Sequence, residues 1–394
     1  MKKSQISTYL FYFFCFSIPL SPFVNARLQF MLVISTILLA GSRFSFRLWW
    51  RQSWDLTLLF FVLLLGLIYS SDISLGLRQL ETSLSLLGVP IIVAGVASCS
   101  NRLRPHAFYA FGLGVVVASF ICLARAIFLF LQSGDWSVFF YTQFTNTVSS
   151  HPTYFAYYVI FCCTYTLYKL YYELPASFVV GGVSAAIYLF IILLLTGGQT
   201  AFISLLLVFS FFISKYLLEE KTRRTSTVAL VIVFLSLGWV GLTILLQTND
   251  LFSALQGQND YWERLTLWNS AFSASSNIWV GVGTGDYLTV LNEYYRSHEM
   301  SEFARKNMNA HNEFIQVYFS NGLLGLIALI LAIGRPLYLA TRHRDVLTIL
   351  LYFPFLLYGV TEVFLGRYQG VVFFGFAHQL CISHLVALDS RRFL

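Results

Sequence analysis

The sequence predicts an all-α integral membrane protein with about twelve transmembrane helices. Hydrophobic residues make up 57% of the chain, the mean hydropathy is +0.71, and charged residues make up 11%, against roughly 25% in a soluble domain. Apolar runs recur at the length that crosses a bilayer, about 20 residues. Because no polar stretch is long enough to bury a core of its own, we expect a single polytopic membrane domain over residues 1–394.

The predicted spans follow these apolar runs in chain order. Most connections between them are short, and the connection between the ninth and tenth spans is much longer than the others. The predicted spans are 7–24, 28–42, 55–70, 83–98, 108–131, 152–171, 176–196, 200–217, 227–246, 313–334, 347–365 and 368–388.

The basic residues predict the orientation of these spans. If the N-terminus is cytoplasmic, 17 of the 25 Lys and Arg residues fall in segments on the cytoplasmic side. That distribution agrees with the positive-inside rule and predicts that both termini are cytoplasmic. The net charge of +7 is then explained by membrane orientation, and no nucleic-acid partner is expected.

The long connection, residues 247–312, is predicted to be a large external loop with helices of its own. Its stretch "YWERLTLWNSAFSAS" has apolar residues at helical spacing, and the loop holds several Trp and Tyr residues, unlike a disordered segment. The glycine-rich "GVGTGDY" (281–287) then ends the helix and turns the chain. A second helix is expected near 286–305, and the chain re-enters the membrane at "NAHNEF".

His311 is the first candidate for chemistry, because it lies where this loop meets the next span. Histidine is the side chain best suited to accept and return a proton at neutral pH. Asn312, beside it, can bind a hydroxyl or carbonyl group. An interfacial histidine without a chemical role is the alternative.

Arginines of the same loop form the second candidate group. Arg264 lies on the predicted amphipathic helix, and a guanidinium binds phosphate oxygens with two parallel hydrogen bonds. Arg296, Arg305 and Lys306 add three more cations on a side that the positive-inside rule tends to empty. This excess predicts an anionic ligand such as a lipid diphosphate, with anionic lipid headgroups as the alternative.

Two further segments carry candidate substrate-binding residues. The turn "LLTGGQTAF" (194–202) contains Gln199 and Thr200 at a helix start, where free backbone N–H groups can bind an anion; a tight glycine turn is the alternative. Glu362 lies in or at the end of an apolar span, where a carboxylate needs a partner or a function. Arg367 is five residues away, so a structural ion pair and a substrate-binding role are both open.

Motifs for several other chemistries are absent from the sequence. It has no HExxH, no CxxC pair, no P-loop and no GxSxG, and it has no paired carboxylates of the DxD kind in the external segments. We therefore expect neither a metal nor a cofactor. Arginines would then have to neutralise the charge of a diphosphate.

The order of these motifs resembles the O-antigen ligase and polymerase superfamily. The similar features are "LLTGGQTAF", then a large loop with "RLTLWNSAF" and "IWVGVGTGDY", then "NAHNEFIQVYFSNGLLGLIAL" and the span that holds Glu362. The resemblance covers about 194–376, which we take as the ligase- or polymerase-like core region. It implies a GT-C-like, inverting and metal-independent glycosyltransferase of the bacterial inner membrane, with its active site facing the periplasm.

The resemblance also implies the substrates and the roles of residues. The donor would be a glycan on a polyprenyl (undecaprenyl) diphosphate, and the acceptor would be lipid A–core in a ligase or a second lipid-linked glycan in a polymerase. Arg264 would grip the diphosphate and His311 would act at the acceptor hydroxyl. The family usually has an arginine where this chain has Gln199, which brings no charge.

Ligation is our first choice of function, and other functions stay open. A polymerase of the same superfamily differs mainly in its acceptor. A transporter or lipid flippase would explain the many spans but not the single large loop. A structural or regulatory protein with an inactive fold would explain Gln199.

Overall fold

The computed structural model describes residues 3–40, 44–97, 103–148, 150–173, 175–218 and 260–391. Within these ranges all regular structure is helical. The predicted span 227–246 and the first part of the predicted loop 247–312 lie outside the described residues. The α-helices are α1 (Lys3–Ser17), α2 (Pro22–Ala40), α3 (Phe46–Ile68), α4 (Ile73–Ser83), α5 (Ser85–Ala97), α6 (Leu103–Ser133), α7 (Tyr141–Thr145), α8 (Pro152–Tyr172), α9 (Val179–Thr196), α10 (Gln199–Leu218), α11 (Asp260–Ala274), α12 (Tyr287–Ser297), α13 (Ser301–Lys306), α14 (Glu313–His343), α15 (Val346–Thr361) and α16 (Tyr368–Arg391).

Six helical stretches in the described ranges are long and apolar enough to cross a membrane, which identifies a multi-pass membrane protein. Four shorter apolar helices lie in α1, α2, α10 and α15. The count of twelve spans and their orientation remain predictions. The six long stretches are Phe46–Ile68, Ile73–Val96, Leu103–Ser133, Val179–Thr196, Glu313–His343 and Tyr368–Asp389.

Helix α8 is largely enclosed by other helices, although it carries many tyrosines. Every residue from Tyr154 to Cys163 is buried. The ring of Tyr157 stacks on Tyr358 of α15, with centroids 4.6 Å apart, and Phe373 of α16 packs edge-on against it at 5.3 Å. Helices α8, α15 and α16 therefore form an aromatic core, and their ends are held in fixed positions.

The predicted span 347–365 is too long, because α15 ends at Thr361. Glu362 caps the helix in an extended conformation, with φ −148° and ψ 158°. A short 3₁₀ turn follows at Phe364–Gly366 before α16 begins at Tyr368. Glu362 therefore lies outside the helix, in a non-helical connection between two membrane helices.

The single helix predicted near 286–305 is also wrong, because the chain forms α12 and α13 with a break between them. Glu299 takes the left-handed conformation, φ 62°. The N–H of Met300 donates to the carbonyl of Tyr295 at 2.8 Å, which is the closing hydrogen bond of a Schellman motif. Glycine usually occupies the left-handed position after a helix. Because Glu299 occupies it here, the end of α12 cannot be recognised from the sequence.

Helices α11, α12 and α13 share a small apolar core with the start of α14, as expected for a folded loop. Its buried residues are Leu267, Ala271, Leu291, Tyr295, Ala304, Ala310 and Phe319.

The glycine-rich segment 281–287 docks on the end of α3. The side-chain oxygen of Thr284 donates to the carbonyl of Leu63 at 2.7 Å, and Asp286 accepts hydrogen bonds from the backbone N–H groups of Ser71 and Asp72, each at 2.7 Å. The segment therefore fastens the loop to the bundle.

Helix α14 is broken at Gly322, where the glycine-rich segment crosses it. Gly322 has φ 64° and ψ −159°, a conformation open to glycine alone. A Cβ there would lie 2.2 Å from the carbonyl carbon of Trp279. The chain can cross α14 at this point only because Gly322 has no side chain.

Gly322→Ala is expected to destabilise the protein by about 2–4 kcal/mol, the sum of backbone strain and a steric clash. The measurement is the melting temperature in mild detergent. The matched control is Gly334→Ala on the same helix, where a Cβ meets nothing within 4 Å and helix propensity improves. Equal melting temperatures for the two variants would contradict this account.

A buried ionic cluster joins α3, α14 and α16. Asp55 accepts from Arg335 Nη1 at 2.9 Å and contacts His378 Nε2 at 2.8 Å. Arg335 follows Glu313, the first residue of α14, by about 22 residues, so the cluster lies roughly 30 Å along the helix from that end. It stabilises the bundle far from the residues described below.

Candidate functional site

The candidate site is built around residues 361–369, called the connector below, which comprise the last residue of α15, the link to α16 and the first two residues of α16. The residues just after α15 are non-helical, so their backbone groups need partners outside the segment. Three side chains from other helices supply them. Tyr154 of α8 donates to the carbonyl of Val363 at 3.0 Å, and Gln79 of α4 donates to the carbonyl of Leu365 at 2.9 Å. Glu313 Oε2 accepts from the N–H of Leu365 at 2.7 Å.

Glu313 is fully buried, and its position ties the start of α14 to the connector. Its second oxygen, Oε1, has no hydrogen-bond partner among the described residues. A cavity of about 30 Å³ beside it is lined by Gln79, Thr284 and Gln316. The carboxylate thus holds the connector next to His311 and Asn312, which immediately precede it.

His311 is held in a strained backbone conformation at the start of α14. Its φ is 43°, the left-handed region that costs a non-glycine residue about 1 kcal/mol or more. The side chain of Asn309 accepts the N–H of His311 at 2.9 Å, and Asn312 caps α14 by accepting the N–H of Ile315 at 3.1 Å. Such strain is concentrated at functional sites, and here it fixes the direction of the imidazole.

The imidazole of His311 faces the carboxylate of Glu362. Nδ1 lies 3.5 Å from Oε2, and the two side chains are 30% and 20% exposed. Hydrogen bonds of catalytic pairs are often this long without substrate and shorten when it binds. The pairing leaves Nε2 as the ring atom that can act on a ligand, and it gives Glu362 a partner other than Arg367.

Arg264 of α11 reaches the adjacent residue of the connector. Its Nη1 donates to the carbonyl of Thr361 at 2.8 Å. The hydroxyl of Thr361 bonds to the hydroxyl of Thr200 in the first turn of α10, at 2.8 Å. Arg264 and His311 therefore contact consecutive residues of the chain, Arg264 at the carbonyl of Thr361 and His311 at the carboxylate of Glu362.

Four helices begin around the connector, and the positive charge of their N-termini is opposed by the C-terminus of α15 and the carboxylate of Glu362. Helices α8, α10 and α14 contact it through Tyr154, Thr200 and Glu313, and α16 starts within it at Tyr368. A helix N-terminus carries about half a positive charge. The exposed guanidinium of Arg367 has no hydrogen-bond or ion-pair partner in the described part of the chain, and it adds a full charge. The arrangement suits an anion.

Three of the predicted cations are not brought into this group. Lys306 pairs with Glu302 at 2.8 Å on the surface of α13. Arg296 and Arg305 are exposed on α12 and α13, and within the described ranges neither contacts the connector. Gln199 begins α10, one residue before Thr200. The oxygen of Asn312 is used in the helix cap.

The structure adds Thr361 and Glu313 to the residues that the sequence suggested. Glu313 could have been found, because a carboxylate entering an apolar span needs a partner or a function. Thr361 had no such signal, because it looks like a residue of the span. Among the described residues, no group of three or more His, Cys, Asp and Glu is placed to hold a metal ion.

Comparison with known proteins finds one family. A model of the O-antigen ligase family matches residues 184–330, from within α9 to within α14, a range that includes Thr200, Arg264 and His311. No curated protein matches the chain. The resemblance predicted from the sequence is thereby confirmed: the chain carries an O-antigen ligase domain over residues 184–330, from a family of membrane glycosyltransferase-type enzymes.

Proposed function

We propose that the protein transfers a glycan from an undecaprenyl diphosphate carrier to an acceptor hydroxyl, with lipid A–core as the acceptor. The reaction takes place on the periplasmic face of the bacterial inner membrane, and residues 247–312 form the periplasmic loop. The observation that carries this proposal is the meeting of Arg264 and His311 on Thr361 and Glu362. A cation and a potential base then contact adjacent residues of the connector.

The donor is bound through its charge. The guanidinium of Arg264 carries five N–H donors in a fork that matches phosphate oxygens, and Arg367 and the helix N-termini add positive potential. When the bond between the anomeric carbon and the diphosphate breaks, its electron pair stays on the diphosphate oxygen. Cations fixed in a site that excludes water stabilise this developing charge without a proton donor.

The acceptor is activated by His311. Its Nε2 takes the proton of the attacking hydroxyl while the oxygen forms a bond to the anomeric carbon on the face opposite the diphosphate, which inverts the configuration. Glu362, at Nδ1, orients the ring and stabilises the imidazolium. The proton is then released to water. Because the arginines and helix N-termini stabilise the negative charge of the diphosphate, this mechanism requires no metal.

The test is transfer in vitro with purified protein, an undecaprenyl diphosphate glycan and lipid A–core, with EDTA present. We expect lipid A–core to gain glycan at an unchanged rate in EDTA. Loss of activity in EDTA, restored by a divalent cation, would contradict charge neutralisation by arginines.

The choice of acceptor distinguishes the two members of the superfamily. If glycan passes only to a second lipid-linked glycan, the protein is a polymerase. If labelled lipid crosses the bilayer of proteoliposomes and no glycan is transferred to either acceptor, the transporter interpretation replaces both.

A further inference from the structure

His151, the residue before α8, lies beside the candidate site but has no role in the chemistry above. It is the N-cap of α8, and Pro152 occupies the first helical position. Its Nδ1 lies 3.0 Å from the hydroxyl of Thr153. Its other ring nitrogen, Nε2, has no protein hydrogen-bond partner among the described residues.

The ring of His151 is held close to the connector. It lies edge-on to Tyr154, with centroids 6.2 Å apart, and the hydroxyl of Tyr154 bonds to Val363, the residue after Glu362. One turn further along α8, Tyr158 donates to the carbonyl of Gln369 at 3.0 Å. Two bonds therefore tie the first turns of α8 to the segment that carries Glu362 and Arg367.

The glycine turn before α10 packs against the same part of α8. Tyr141 lies edge-on to His151, with centroids 6.4 Å apart, and a Cβ on Gly197 would lie 3.5 Å from the Tyr141 ring. A Cβ on Gly198 would lie 2.9 Å from the Cβ of Ala156. The N-termini of α8 and α10 are therefore neighbours, and His151 is the N-cap of one of them.

We propose that Nε2 of His151 donates a hydrogen bond to the leaving diphosphate of the donor lipid. The inference deepens the proposed function and rests on it. His151 borders the region where Arg367 and two helix N-termini create positive potential, whereas His311 faces Glu362. The two imidazoles would then serve opposite partners, His311 the acceptor and His151 the diphosphate.

The charges around His151 are consistent with this division. Burial lowers the pKa of His151, Arg367 and His311 act in the same direction, and Glu362 opposes them. The lowered pKa favours a neutral ring in the free site, and the proposal requires the tautomer in which the hydroxyl of Thr153 donates to Nδ1 and the ring proton is on Nε2. A bound diphosphate adds negative charge and raises the pKa of His151. We therefore expect tighter binding as the pH falls from above the pKa of the bound form to below the pKa of the free form.

The test measures binding of undecaprenyl diphosphate to the purified protein in detergent, which needs no turnover. His151→Ala is expected to weaken binding about tenfold or more, the usual effect of losing a hydrogen bond to a charged group. His151→Gln places an amide N–H near the position of Nε2 and should bind within about threefold of the wild type. His151→Asn reaches only the position of Nδ1 and should behave like alanine.

The glutamine and asparagine variants separate recognition from packing, because both remove the ring. Equal affinities for these two variants, or unchanged affinity in His151→Ala, would overturn the inference. As a second readout, the gain in affinity of the wild type between pH 8 and pH 6 should exceed that of His151→Gln.

The same binding experiment distinguishes failure of the proposed function from failure of the role of His151. A wild-type protein that does not prefer undecaprenyl diphosphate to undecaprenyl monophosphate would overturn both proposals. A wild-type protein with that preference, combined with unchanged binding in the variants, would overturn only the role of His151. His298→Ala, at the exposed end of α12, is the matched histidine control and should bind like the wild type.

Discussion

Replacing His311 with alanine is expected to lower the rate of glycan transfer about 10²–10⁴-fold, the usual contribution of a general base. In the proposed mechanism the imidazole takes the acceptor proton, and its pairing with Glu362 orients it for that role. The measurement is kcat for transfer to lipid A–core at saturating donor. Binding of undecaprenyl diphosphate should change little, because His311 serves the acceptor.

Two variants make the result specific. His298→Ala removes another histidine of the same loop, one whose ring stacks on Tyr294 at 3.9 Å, and should leave transfer unchanged. Glu362→Gln keeps the shape of the partner of His311 but removes its charge, and we expect a smaller loss than in His311→Ala. Full transfer activity in His311→Ala would remove the imidazole from the mechanism.

Replacing Arg264 with alanine is expected to lower kcat/KM for the donor about 10²–10³-fold, as for other groups that stabilise developing charge. The variant loses both the cation and the bond to Thr361 that joins α11 to the connector. Arg264→Lys keeps the charge but not the forked geometry, so it should recover part of the activity. The measurement is the initial rate as the concentration of donor lipid is varied.

Arg296→Ala is the matched control for this series, because it removes an exposed arginine from the neighbouring helix α12. It should transfer at the wild-type rate. If Arg296→Ala and Arg264→Ala lose activity equally, the loop acts through its total charge, and a specific diphosphate contact at Arg264 is ruled out. Melting temperatures of all variants show whether the fold is retained.

Part of the candidate site could be predicted from the sequence, whereas the helix boundaries around it were harder to predict; the chemical roles of its residues stay predictions. Arg264 and His311 were identifiable because each carries a functional group in an unusual place, a cation and an imidazole on the loop between two membrane spans. Helical spans were predictable because lipid leaves the backbone few alternatives. The helix ends were harder, since Glu299 occupies a left-handed position where a glycine would have marked the boundary.

The connector could not be predicted from local sequence. Its residues continue the apolar run of α15. The side chains that hydrogen-bond to its backbone, Gln79, Tyr154 and Glu313, are distant in the sequence. Hydrogen bonds from three other helices replace those that a continuous helix would have made. From the sequence, Glu362 therefore looked like an intramembrane charge that either pairs with Arg367 or binds substrate, whereas in the folded chain it faces His311.

The docking of residues 281–287 on α3 makes this segment a rigid part of the molecule. Thr284 and Asp286 are bonded to the backbone at Leu63, Ser71 and Asp72, so the segment cannot move away from α3 unless these hydrogen bonds break. Under the proposed function, the segment therefore forms a fixed side of the site, and a lipid-borne glycan has to enter and leave along another side.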